Sequence, residues 1–223
     1  MQTAPVPVRL VVFDCDGTLV DSQATIVACM TDAFAAESLT PPPAQAIRRI
    51  VGLSLTDAVM RLLPEPDLPL AERLGEAYKA AFFTRSARPD HDEPLFPGAR
   101  EVLDALDARG VPTGVATGKA MRGLLRVLAR HGLEHRFATL QTADLHPSKP
   151  HPAMLEAAMR EVGVSPAETL LIGDTTFDVL MARAAGAVPV GVAWGNHPAV
   201  ELREAGAAHM LGRFEELLEL VEG

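Results

Sequence analysis

The sequence predicts an α/β protein with a doubly wound, Rossmann-like parallel-sheet core and a small all-helical domain inserted after the first strand. Three observations lead there. The run Leu10-Val11-Val12-Phe13 is apolar without alternation, as expected of a strand covered on both faces. From Val111 onward, short apolar runs alternate with helical patterns, the mark of βαβ units. Between them, residues 20–88 carry helical patterning and no convincing strand.

Taken in order, Asp21 and Ser22 offer an N-cap for a helix over 22–38, with Ile26, Val27, Met30 and Phe34 along one side. Pro41-Pro42-Pro43 breaks the chain before a second helix, Ala44 to Val51. Gly52-Leu53-Ser54 is a turn, and Ser54 or Thr56 caps a third helix reaching Leu63. Beyond Pro64, Pro66 and Pro69 a fourth helix runs from about Leu70 to Ser86. The polar segment Arg88-Pro89-Asp90-His91-Asp92-Glu93-Pro94 reads as the return hinge and 18–22 as the outgoing one. Core strands follow at Val111–Ala116, Phe137–Gln141, Thr169–Ile172 and Val188–Ala193. The expected division is 1–18 with 91–223 for the core and 19–90 for the insertion.

Composition narrows the function classes. Among 223 residues, 48% hydrophobic and 22% charged is ordinary for a globular chain. A net charge of −9 argues against nucleic acid as a partner, because a phosphate backbone needs a basic face. It also means that an anionic substrate requires a bound cation and a few placed Lys or Arg to reverse the local field. No stretch approaches the roughly 20 apolar residues of a membrane span, and no secretory leader is read at the N-terminus. Two cysteines, Cys15 and Cys29, give no disulfide framework, and a cytoplasmic location is expected. Cys15 sits between two acids, which disfavour its thiolate, so it reads as a packing residue.

Each core strand ends in chemistry, where an open α/β sheet binds its ligands. The first ends at Asp14-Cys15-Asp16-Gly17-Thr18. Two carboxylates so close repel, which invites a cation or a shared proton, and magnesium is a hard ion suited to carboxylates and phosphate oxygens. Asp14-Cys15-Asp16-Gly17 also reads as a plain acidic turn. The second strand ends at Thr117-Gly118-Lys119, either an anion site at a helix start or a simple N-cap followed by a solvated lysine. Lys149 stands before Pro150, which biases its backbone toward extended geometry, and could bridge a nucleophile and a phosphate oxygen. The fourth strand ends at Gly173-Asp174-Thr175-Thr176-Phe177-Asp178, a metal-ligand pattern or an acidic helix start.

In this order, DxDGT, T-G-K, K-P and GDxxxD, the chain resembles the haloacid dehalogenase-like (HAD) superfamily, more narrowly its phosphoglycolate phosphatase-like branch with a helical cap. The resemblance implies a magnesium-dependent phosphatase acting on a small phosphorylated metabolite, such as phosphoglycolate or a sugar phosphate. Asp14 would be the nucleophile that forms an aspartyl-phosphate. Asp16 would serve the leaving oxygen and then water, with its main-chain carbonyl on the metal, and Thr18 would position it. Thr117 and Gly118 would hold the phosphoryl oxygens and Lys149 would stabilise them. Asp14, Asp16, Asp174 and Asp178 would hold Mg²⁺. The cap segment containing Arg49, Gly52, Leu53 and Ser54 would read the substrate. Gly118 departs from the family pattern, which often has Asn there. A sugar-phosphate mutase of the same superfamily and a phospho-accepting receiver module are the rival expectations. The helical insertion and Asp16 weigh against the receiver.

Overall fold

A computed structural model describes residues 7–88 and 91–222, so Pro89 and Asp90 of the expected hinge lie outside the described residues. Strand β1 (Leu10–Phe13) is followed by four helices: α1 (Gln23–Ala36), α2 (Ala44–Arg48), α3 (Leu55–Leu62) and α4 (Leu68–Ser86). The core then continues through α5 (Ala99–Ala108), β2 (Thr113–Thr117), α6 (Met121–Arg130), β3 (Thr139–Thr142) and α7 (Ala153–Val162). It closes with β4 (Thr169–Gly173), α8 (Thr176–Ala185), β5 (Val188–Val192), α9 (Ala199–Ala205), β6 (His209–Leu211) and α10 (Leu217–Glu222).

All strand pairings are parallel, in the order β3-β2-β1-β4-β5-β6. The unbroken apolar run of β1 has a direct cause in this packing. Val11 and Phe13 face a layer containing Val102, Leu106, Leu124 and Leu128 of α5 and α6. Leu10 and Val12 face Met154, Leu155, Met181 and Ala182 of α7 and α8. Strand order reverses between β1 and β4, which opens a crevice beyond their carboxyl ends.

The insertion has its own apolar centre, with Ile26, Met30, Phe34, Ile47, Val59 and Leu74 buried together. Leu19 and Val20, assigned to it from sequence, instead pack with the main core. There the outgoing and returning chains lie side by side: Phe96 N–H donates to the Leu19 carbonyl at 2.9 Å and Asp21 N–H to that of Pro94 at 2.9 Å.

Several local expectations shift. Helix α2 stops at Arg48, freeing 50–54 as a loop. Ser54 caps α3, accepting from Asp57 N–H at 3.3 Å, and Asp67 caps α4, accepting from Leu70 N–H at 3.0 Å. Ser22 does not cap α1, because its hydroxyl is spent elsewhere, as described below. Strand β6 has no counterpart in the sequence reading; three residues at the sheet edge carry too short a pattern to register. Among the described residues no helix is long and apolar enough to cross a membrane.

Candidate active site

The end of β1 places Asp14 at the centre of the crevice. Its N–H donates to the Ile172 carbonyl of β4 at 2.9 Å, extending the ladder one residue beyond the strand and fixing the carboxylate. Asp14 is fully buried. Lys149, also fully buried at its side chain, brings Nζ to 2.8 Å from Asp14 Oδ1 and 2.6 Å from Asp178 Oδ1. The Lys149–Pro150 bond is cis.

Asp174 follows β4, and its oxygens are taken from three directions. Thr18 Oγ1 donates to Oδ1 at 3.0 Å, while Asn196 donates to Oδ2 through its N–H at 2.7 Å and its side-chain amide at 2.8 Å. Asp178, in the first turn of α8, accepts at Oδ2 from Thr175 N–H at 3.0 Å and Thr175 Oγ1 at 2.6 Å. Gly17 is required here: its φ is +86°, and a side chain would overlap the Asp174 carboxylate and Asn196.

Asp14, Asp174 and Asp178 each offer a carboxylate oxygen within 4.8 Å of one another, all buried. Three carboxylates against one ammonium leave excess negative charge in a dry site. Burial, only partly offset by Lys149 and reinforced by Asp178 and Asp174, pushes the Asp14 carboxyl up to about 8. Burial and then Asp178 push Asp174 up to about 6. Burial works against the Lys149 ammonium, but Asp14 and Asp178 hold it charged well above the ordinary lysine range. Asp14 Oδ2 accepts no hydrogen bond among the described residues. An orphaned buried carboxylate oxygen beside a second carboxylate fits a hard divalent cation.

Asp16 lies apart from that cluster. Ser22 Oγ donates to its Oδ1 at 2.6 Å, and Lys119 Nζ stands 3.1 Å from the same oxygen. The Asp16 carboxylate is therefore not in the acidic cluster, and only its main-chain carbonyl remains for the metal role that the resemblance implies. Thr18 does not position Asp16 either; its hydroxyl orients Asp174, and Ser22 with Lys119 holds Asp16 instead. Lys119 is not a solvated lysine. Its ammonium sits 5.0 Å from the centre of the Phe82 ring, and its own N–H donates to Thr117 Oγ1 at 3.2 Å. Cys15 is a packing residue: burial and then Asp16 push its thiol well above the ordinary range.

The cap rests on these groups. Ser54 N–H donates to Ser148 Oγ at 2.8 Å, across from the core. His197 accepts from Thr176 N–H at Nδ1, 3.1 Å, which leaves Nε2 to donate to the Arg49 carbonyl at 3.2 Å. Arg49 itself pairs with Glu201 at 2.6 Å. It does not line the cavity between cap and core, whereas Gly52, Leu53 and Ser54 do. A Cβ at Gly118 would overlap the carbonyl oxygens of Leu53 and Gly52, so the cap loop fills the space that a side chain at 118 would need.

Thr117 ends β2 and, with Gly118, borders the same cavity as Asp16. His146 faces Gln141 at 2.6 Å and belongs to no metal group among the described residues. Trp194 packs on Phe214, 4.8 Å between ring centres, and its Nε1–H donates to the Thr18 carbonyl at 3.2 Å. Two site residues, Asn196 and His197, had no role from sequence. Their signal was position alone, since they follow β5 as Asp174 follows β4.

The model of the family described as haloacid dehalogenase-like hydrolase matches residues 11–192. A protein of Dickeya dadantii named "Probable phosphatase IndB" is 36% identical over 94% of this chain and 91% of its own. A phosphoglycolate phosphatase of Haemophilus influenzae is 27% identical, covering 96% and 98%. The crystal structure of a hydrolase from Pseudomonas syringae superposes with a TM-score of 0.84 at 30% identity, covering 96% and 98%. The chain belongs to the haloacid dehalogenase-like hydrolase family, and it is a hydrolase built on that family's core with a helical insertion.

Proposed function

We propose that the protein is a magnesium-dependent phosphatase that hydrolyses small phosphate monoesters through an aspartyl-phosphate on Asp14. The observation that carries this is the buried Lys149 ammonium shared by Asp14 and Asp178, beside an Asp14 oxygen with no hydrogen-bond partner among the described residues. A carboxylate held rigid, dry and next to a fixed cation suits attack on phosphorus, where catalysis is mainly positioning and charge stabilisation.

In the first step the Asp14 carboxylate bonds to phosphorus and the ester P–O bond breaks, while Asp16 gives its proton to the departing oxygen. In the second, water attacks phosphorus, Asp16 takes the water's proton, and the bond to Asp14 breaks to release inorganic phosphate. The Thr117 hydroxyl and the Gly118 amide receive the phosphoryl oxygens. Asp14, Asp174 and the Asp16 main-chain carbonyl would hold Mg²⁺, which supplies charge neutralisation for the phosphoryl group. Asp178 stands beside them with its oxygens on Lys149 and Thr175. Thr18 and Asn196 hold Asp174 in place. The insertion serves as the cap that shields the site from water.

The test is release of inorganic phosphate from a panel of small esters with and without Mg²⁺. Asp14→Asn is expected to abolish release while the circular dichroism spectrum stays native. Turnover in that variant, or an isomeric phosphate in place of inorganic phosphate, would overturn the assignment.

A further inference from the structure

With the cap in place, a cavity of about 810 Å³ remains between it and the core. Its volume does not come from domains held apart. The cap is seated through the Ser54–Ser148 and His197–Arg49 hydrogen bonds, and its loop carbonyls crowd Gly118. Asp16, Thr117 and Lys119 border the cavity on the core side.

The cap side is largely apolar. Ile26 and Met30 of α1, Leu53 of the loop, and Tyr78 and Phe82 of α4 line it. Of the charged residues around it, Arg122 is exposed, and the others have partners. Lys119 faces Asp16, Lys79 pairs with Glu76 at 2.7 Å, and Arg126 donates to Ser86 Oγ at 3.0 Å while lying over Phe83. Arg49 is turned to Glu201 and is not part of the lining.

The geometry points to a phosphate monoester whose leaving group carries an uncharged apolar body, alkyl or aryl, several carbons longer than glycolate. The inference rests on the phosphatase assignment, because it takes Asp16 as the group that serves the leaving oxygen. Asp16 borders the cavity, so the rest of the leaving group extends into it. A two-carbon acid would leave most of the apolar lining wet. Cavities of about 300–1,000 Å³ enclose ligands of drug size, and each methylene moved from water onto such walls is worth about fourfold in binding.

The experiment is steady-state phosphate release from ethyl, butyl, hexyl and 2-phenylethyl phosphates, with phosphoglycolate alongside, in saturating Mg²⁺. These alkyl esters share primary-alcohol leaving groups, so chain length is the main variable. The expected result is a kcat/KM that climbs by up to about fourfold per methylene, with 2-phenylethyl phosphate at least about 10-fold above phosphoglycolate. Phe82→Ala should flatten the series and Phe82→Leu should keep its slope. The wild-type series decides the matter alone if Phe82→Ala does not fold. A flat series, or phosphoglycolate as the preferred ester, overturns the substrate class and leaves the phosphatase assignment standing. No release from any ester overturns both.

Discussion

The Lys119 ammonium lies 3.1 Å from Asp16 Oδ1, closed in between that carboxylate and the Phe82 ring. Burial works against this charge, but Asp16, with Cys15, Tyr78 and Glu93 adding to it, holds the lysine protonated well above its ordinary range. A fixed cation thus faces the residue assigned to proton transfer, and it comes from the turn that also supplies Thr117. Lys119→Met should lower kcat/KM by about 10-fold or more, the scale of one charged hydrogen bond lost. Lys119→Arg should recover part of the loss. Steady-state phosphate release by the two variants checks this, and a Met variant at wild-type rate refutes it.

Gly118 is matched to the cap loop. A Cβ there meets the Leu53 and Gly52 carbonyls, so Gly118→Ala already forces the loop outward, and Gly118→Asn does so further. Both variants should lose kcat/KM, the Asn variant by up to about 10²-fold if reacting groups shift by an ångström. Amide exchange across residues 50–54 should quicken in step. Unchanged exchange together with unchanged kinetics would count against a seated loop.

The acidic cluster makes a pH-dependent stability claim with a definite sign. Asp14 is pushed up to about 8 and Asp174 to about 6, both from an ordinary 3.8. The folded protein without metal therefore binds more protons than the unfolded chain between about pH 4 and 8. Its stability from these groups is present at low pH and declines as pH rises. A divalent cation replaces the protons, so its stabilising effect should grow with pH. Thermal melts should show a Tm gain of roughly 5–10 °C at 100-fold excess of Mg²⁺ over its Kd at pH 8. The gain at pH 5.5 should be clearly smaller. Equal gains at both pH values would contradict the assignment of Asp14 as a ligand.

Arg49 separates two roles. Its pair with Glu201 is partly exposed, 43% and 32% at the side chains, and such pairs are worth about 0.2–1 kcal/mol. Arg49→Met should cost no more than that in a denaturant melt and should leave KM unchanged. A large rise in KM would return Arg49 to substrate reading.

Much of the core was legible because its determinants are local. A short apolar run with no alternation suits a strand covered twice, and β1 is covered by α5 and α6 on one side and α7 and α8 on the other. Asp14, Lys149, Asp174 and Asp178 each announced themselves by following such a run or flanking a proline. Strand β6 escaped because three edge residues have no pattern to read. Ser22 misled because the same hydroxyl that suits an N-cap also suits a carboxylate six residues back, and the fold brings that carboxylate to it.

By itself the sequence determined the parallel-sheet core, the inserted helices and the acids, hydroxyl and lysine at the strand ends, since periodicity and turn chemistry act over a few residues. Only the tertiary structure decided who partners whom. Thr18 serves Asp174 rather than Asp16, Lys119 faces Asp16 rather than solvent, Arg49 turns to Glu201, and Asn196 and His197 enter the site. Those contacts join residues up to 156 positions apart, as between Thr18 and Asp174, and a distance of that length is set by how the layers pack, which no local pattern encodes.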